Sequence, residues 1–172
     1  MQKLLLTMSF CFVLSQSFSQ TQRKVSTYLL AQINSTQHDH TAKNNPIGVG
    51  IGLQAFFNNK TKFKPTIEYT RDIYLSGSKV GYLYGEKVDK MVNLFAGSSF
   101  QLEESFYVSV VAGPSFINEQ KLFGIKPSLG VHSLGKQRWT AKVSYINIFN
   151  RTEEVAKGDF GSLSVAIGLK LF

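Results

Sequence analysis

Three groups of residues in this 172-residue chain are of types that do chemistry. HDH, from His38 to His40, puts two imidazoles and a carboxylate side by side. Metal ligation needs three or four converging groups, and the one other histidine, His132, lies far along the chain, so a solvated polar loop and no metal is the expectation. His132 is followed directly by Ser133, a base beside a hydroxyl. A nucleophile must sit within hydrogen-bonding reach of its base, whereas adjacent side chains of a strand point to opposite faces. Glu153 and Glu154 supply no third member at any visible spacing, so no catalytic residue and no enzyme is expected. The third group is Glu68 with Lys126 and Lys142, whose meaning depends on the segments that hold them.

Two pattern matches carry less. Asn34, Asn59 and Asn150 each begin an N-x-S/T triplet, which reads as chance composition in Asn-rich loops and turns. GVGIG, Gly48 to Gly52, resembles a phosphate loop, but it alternates with Val and Ile and no helix follows.

The segments that must position these residues are strands. VSTYLLAQI (Val25 to Ile33) alternates, blurred by Leu29 and Leu30, and IGVGIGLQAFF (Ile47 to Phe57) alternates cleanly. FKPTIEYTRDI (Phe63 to Ile73), KMVNLFAGSSFQL (Lys90 to Leu102), FYVSVVAGPSF (Phe106 to Phe116) and FGIKPSLGVHS (Phe123 to Ser133) follow. WTAKVSYINIF (Trp139 to Phe149) and GSLSVAIGLKLF (Gly161 to Phe172) complete eight strands. Tight connections (Asn58 to Lys62, Glu103 to Ser105, Leu134 to Arg138) alternate with mostly longer ones, as in an up-and-down antiparallel barrel with unequal rims. Pro65, Pro114 and Pro127 each remove a ladder donor, so bulges or strand ends are expected near them.

The ends and composition set the compartment. MQKLLLTMSFCFVLSQSFSQ has a basic start at Lys3, an apolar run from Leu4 to Leu14 and a small-residue stretch, the order of a secretory signal peptide. Cleavage is expected after Ser19, with Ser17 the second choice, giving a signal peptide over 1–19 and one domain over 20–172. The run is shorter than the ~20 residues of a spanning helix. Cys11 lies inside it after Phe10, so no lipid anchor is read and the mature chain has no cysteine. Without Lys3, 18 basic residues face 11 acidic ones, a formal charge of +7. With export and no RGG, RNP or zinc-finger pattern, nucleic acid is not expected, and anionic lipid headgroups are.

Eight alternating strands suit either a soluble barrel with an apolar inside or a membrane barrel with an apolar outside. The polar phase is mostly Gly, Ser and Thr with few charges, which fits a tight interior and not a solvated exterior. The segments match the ~9 to 11 tilted residues that cross a bilayer. Phe57, Phe63, Tyr69, Phe100, Phe106, Phe116, Phe123, Trp139, Tyr145 and Phe172 fall near segment ends, as in two interfacial girdles. Glu68, Lys126 and Lys142 then share the lumen, where a lone buried acid needs a partner. A structural ion pair is expected there, a proton or ion path being the other reading.

With its signal peptide, eight alternating segments, unequal connections and terminal Phe172, the stretch from Gln20 to Phe172 resembles the small outer-membrane β-barrels of Gram-negative bacteria, the OmpA- or OmpX-like group. The resemblance implies an all-β, eight-stranded antiparallel up-and-down transmembrane barrel in the cell outer membrane, monomeric, with both termini periplasmic and four loops outside. It implies outer-membrane lipid and lipopolysaccharide as surroundings, and barrel-assembly machinery and periplasmic chaperones as partners in biogenesis. Phe172 would be the C-terminal assembly signal. It stands one residue out of phase with Leu163, Val165, Ile167, Leu169 and Leu171, so either a bulge near Gly168 turns it outward or it sits at the rim. The role expected is structural or surface-binding, through loops around His38 to Asn45, Lys79 to Lys87 and Thr152 to Lys157, with no cofactor. A narrow pore or a lipid A-modifying enzyme are the alternatives.

Overall fold

The computed structural model describes residues 25–37, 42, 45–75, 88, 90–117, 120–133, 137–149 and 159–171. Alternation of apolar and small residues produces eight strands: β1 (Val25–Thr36), β2 (Ile47–Phe57), β3 (Phe63–Leu75), β4 (Lys90–Gln101), β5 (Phe106–Ile117), β6 (Gln120–His132), β7 (Trp139–Phe149) and β8 (Phe160–Lys170). Every strand pairs antiparallel with its chain neighbour, and β8 pairs with β1, closing the barrel. Closure leaves no sheet edge exposed.

Register fixes the barrel's dimensions. The cross-strand partners of Thr27 run through Ala55, Ile67, Ala96, Ala112, Ile125, Asn147 and Gly161 and return to β1 at Gln37, ten residues further on. For eight strands spaced about 4.8 Å apart and rising about 3.3 Å per residue, that offset tilts the strands by about 40° and puts the backbone about 8 Å from the axis.

The usual sense of burial is inverted. Ile33 and Ile51 are each 62 % exposed and Phe63 61 %, all on the outer wall, while Ser, Thr, Asn, Gln, Lys, Glu and Asp side chains fill the inside. Outward aromatics gather at the tight-turn rim (Phe57, Phe63, Phe100, Phe106, Trp139), the Phe63 and Phe100 rings 4.8 Å apart, with Phe116 and Phe123 towards the other end.

Four expectations change. Strand ends move: β1 runs on to Thr36, β3 to Leu75 and β5 to Ile117, β6 begins at Gln120, and β8 spans Phe160–Lys170. The blur in β1 resolves, Leu29 turning outward and Leu30 inward.

The prolines introduce no bulge, because register is unchanged on either side of each. Instead, each proline aims its missing N–H at a neighbour whose ladder breaks there. Pairing of β2 with β3 stops at Phe56 and Thr66, next to Pro65. The β4–β5 ladder skips the level of Leu94 and Phe95 opposite Gly113 and Pro114, and β6–β7 skips Lys126 and Pro127.

Last, β8 keeps one register with β1 from Ser162 to Lys170, so no bulge forms at Gly168. Phe172 itself, like His38 to His40, lies outside the described residues.

Candidate functional site in the barrel interior

Inward side chains form stacked zones. Near the tight-turn end, Tyr28, Phe56, Tyr107 and His132 close the lumen. The His132 ring stacks on Tyr107 (centroids 4.6 Å apart) and Tyr28 (5.4 Å), with Phe56 edge-on to the group. Tyr28 donates its hydroxyl to the Gln137 carbonyl at 3.0 Å, and the Tyr107 hydroxyl lies 3.2 Å from Thr140 Oγ1. Gly130 faces this stack because a Cβ there would collide with the Tyr107 ring.

Above it lies the charged zone. Lys126 Nζ donates to Glu68 Oε1 at 2.7 Å and Lys142 Nζ to Oε2 at 2.5 Å, all three side chains being sealed from solvent. Glu68 comes from β3 and the lysines from β6 and β7, so the carboxylate reaches across the lumen to the opposite wall. One acid between two amines would leave a buried surplus of positive charge. Asp72, also on β3 and also buried, supplies a second negative charge in the same interior. It accepts from Gln32 Nε2 at 2.5 Å and Asn34 Nδ2 at 2.7 Å on Oδ1, and from Asn93 Nδ2 at 3.4 Å on Oδ2. Ser164 in turn donates to Asn34 Oδ1 at 2.6 Å. Glu68 is therefore not the lone acid expected from its sequence position: two carboxylates balance two lysines, each held by charge-assisted hydrogen bonds.

At the end with the longer connections the interior turns apolar, with Tyr74, Val88, Met91, Phe95, Ile117, Ile146, Ile148 and Phe160 packed together. This plug and the aromatic stack were missed at the sequence level. Phe56, Tyr107 and His132 do fall on the polar phase of their segments, which is the signal that would have placed them inside.

His132 and Ser133 part company as strand geometry requires. The His132 ring is inside the aromatic stack, and the Ser133 hydroxyl accepts the Trp139 N–H at 3.2 Å. Among the described residues no three His, Cys, Asp or Glu side chains converge as metal ligands would. The interior can hold charge and hydrogen bonds in place, and the described arrangement sets no nucleophile beside a base.

No protein-family model matches the chain, and no curated protein does. Solved structures do. Neisserial surface protein A is 13% identical with a TM-score of 0.57, over 86% of this chain and 97% of that one. Ail, the attachment invasion locus protein of Yersinia pestis, is 12% identical with a TM-score of 0.51 over the same shares. A de novo designed transmembrane β-barrel is 9% identical with a TM-score of 0.53, over 88% of this chain and all of the design. Closure, strand number and these likenesses agree that the chain has the fold of the small eight-stranded outer-membrane β-barrels.

Proposed function

We propose that this chain is an integral barrel of a Gram-negative outer membrane, with a structural or surface-binding role exercised from its loops and rims. The observation that carries this is a lumen filled by an aromatic stack, a charged zone and an apolar plug, inside a wall whose exposed side chains are mostly apolar. Such an outer wall is stable in hydrocarbon, where the closed sheet also satisfies its backbone. Work then falls to the surfaces beyond the lipid, including the segments around His38 to Asn45, Lys79 to Lys87 and Thr152 to Lys157. The Glu68, Lys126 and Lys142 group serves as a structural tie, not as an ion path, and the chain is not an enzyme.

In this reading residues 1–19 are a signal peptide removed on export, and Phe172 is the feature the barrel-assembly machinery engages after periplasmic chaperones deliver a monomer.

Two measurements test it. After membrane fractionation, unboiled and boiled samples on a denaturing gel are expected to differ in mobility; a soluble protein without that shift overturns the membrane reading. In planar bilayers no conductance steps are expected. Steady single-channel steps would favour the pore, and loss of acyl chains from lipid A in cells carrying the protein would favour the enzyme.

A further inference from the structure

The outer wall of the described strands carries three charged side chains. Among residues directed outward from the described strands, only Arg71 of β3, Lys90 of β4 and Lys121 of β6 are charged, and all three are exposed cations. The outer faces of β1, β2, β5, β7 and β8 carry no charge at all. None of the three cations has an ion-pair partner among the described residues. They all lie towards the end with the longer connections. Arg71 is not at the rim itself: its outward neighbours are Tyr69 on one side and Ile73 and then Leu75 on the other, all exposed.

Register shows how they converge. Arg71 is opposite Val92 and Ile73 is opposite Lys90, so Arg71 and Lys90 are diagonal neighbours, about 7 to 8 Å apart at the backbone. The row through Arg71 continues by Val92 and Phe116 to Lys121. Strand tilt lifts that row by about 3 Å per strand, which brings Lys121 level with Lys90 and about 12 Å from it along the wall. A long arginine stem in apolar surroundings extends towards the polar boundary, here towards Lys90.

We propose that Arg71, Lys90 and Lys121 form an external clasp for the phosphates of an anionic membrane lipid. Arg71 and Lys90 take one phosphate, the guanidinium presenting its paired donors, and Lys121 takes a second phosphate of the same headgroup. The apolar residues that flank the cations favour a lipid over a soluble anion, because acyl chains cover Ile73, Val92 and Phe116 while the headgroup lies among the charges. This inference rests on the membrane-spanning reading and adds a lateral, one-sided lipid site to it.

The test uses the full mature chain inserted in phosphatidylcholine nanodiscs containing lipid A, with lipid retained per barrel read by native mass spectrometry. Each basic residue at a membrane surface is worth roughly a fivefold factor, so the triple variant R71Q/K90Q/K121Q is expected to retain lipid A about a hundredfold more weakly. The control K60Q/K62Q, altered in a tight turn at the other rim, is expected to retain it as the unaltered chain does. Unaltered protein with lipid A stripped of its phosphates is the arm that needs no variant, and weak retention is expected there. Equal retention of the stripped lipid, equal retention by the triple variant, or an equal loss in the control overturns the clasp. An unaltered chain that does not insert in the bilayer overturns the membrane reading, and the clasp with it.

Discussion

Glu68 reaches across the lumen to two amines, one on each carboxylate oxygen, and is the only carboxylate among the described residues that they pair with directly. Removing the acid leaves two like charges buried together, and breaking a buried pair costs about 3–5 kcal/mol. Glu68→Ala is therefore expected to lower stability by about that much, read as a lower urea midpoint for unfolding from vesicles. The compensated variant E68L/D72N/K126M/K142M is expected to recover most of the loss, because it removes both carboxylates with both lysines and strands no charge. If Glu68→Ala leaves the midpoint unmoved, the group is not a structural tie. Gly130 is the steric counterpart. A side chain there meets the Tyr107 ring, so Gly130→Val is expected to cost about 1–3 kcal/mol in the same assay, with Gly130→Ala costing less. The inward direction of Glu68, Lys126 and Lys142 was legible in the sequence, since period-two alternation assigns each residue a face. Asp72 shares that face by the same alternation, but its amide donors from β1 and β4 were not legible, because alternation fixes a face and is silent on which side chains meet inside the lumen.

Among the elements, the prolines distinguish pattern from pairing. Segment positions could be read to within a few residues, but the response to Pro114 and Pro127 depends on which neighbour each absent N–H faces, and that is a matter of register. Pro127 faces β7 at the level of Tyr145, where the ladder opens. Pro127→Ala would restore a donor towards β7, and a regained hydrogen bond is worth about 1 kcal/mol. The variant is expected to unfold at a slightly higher urea concentration, and its residue 127 amide to exchange slowly with deuterated solvent. Fast exchange there would show that the gap has another cause. Pro65 is different, since it lies where β2–β3 pairing has already ended. Substitution there is expected to change little.

At the scale of the whole molecule, the two plugs act in series. Opening the aromatic stack with Y28A/Y107A removes the closure near the tight turns, yet the cluster around Phe95, Ile148 and Phe160 still blocks the other end. Conductance in planar bilayers is expected to stay at baseline in that variant; steps produced by it alone would show that the second plug is no barrier. The fold class was readable from sequence because eight alternating segments with unequal connections suit few closed arrangements. The plugs were not, since their residues are scattered over strands that meet only after closure. The ten-residue offset around the barrel carries a last consequence. A closed sheet can change its offset only in steps of two residues, because an odd slip would exchange inside for outside. For eight strands each such step alters the radius by only about 0.7 Å, with every intermediate width forbidden. The bore is thus a discrete quantity, and substitutions that preserve pairing can trim or enlarge what fills it without stretching the tube.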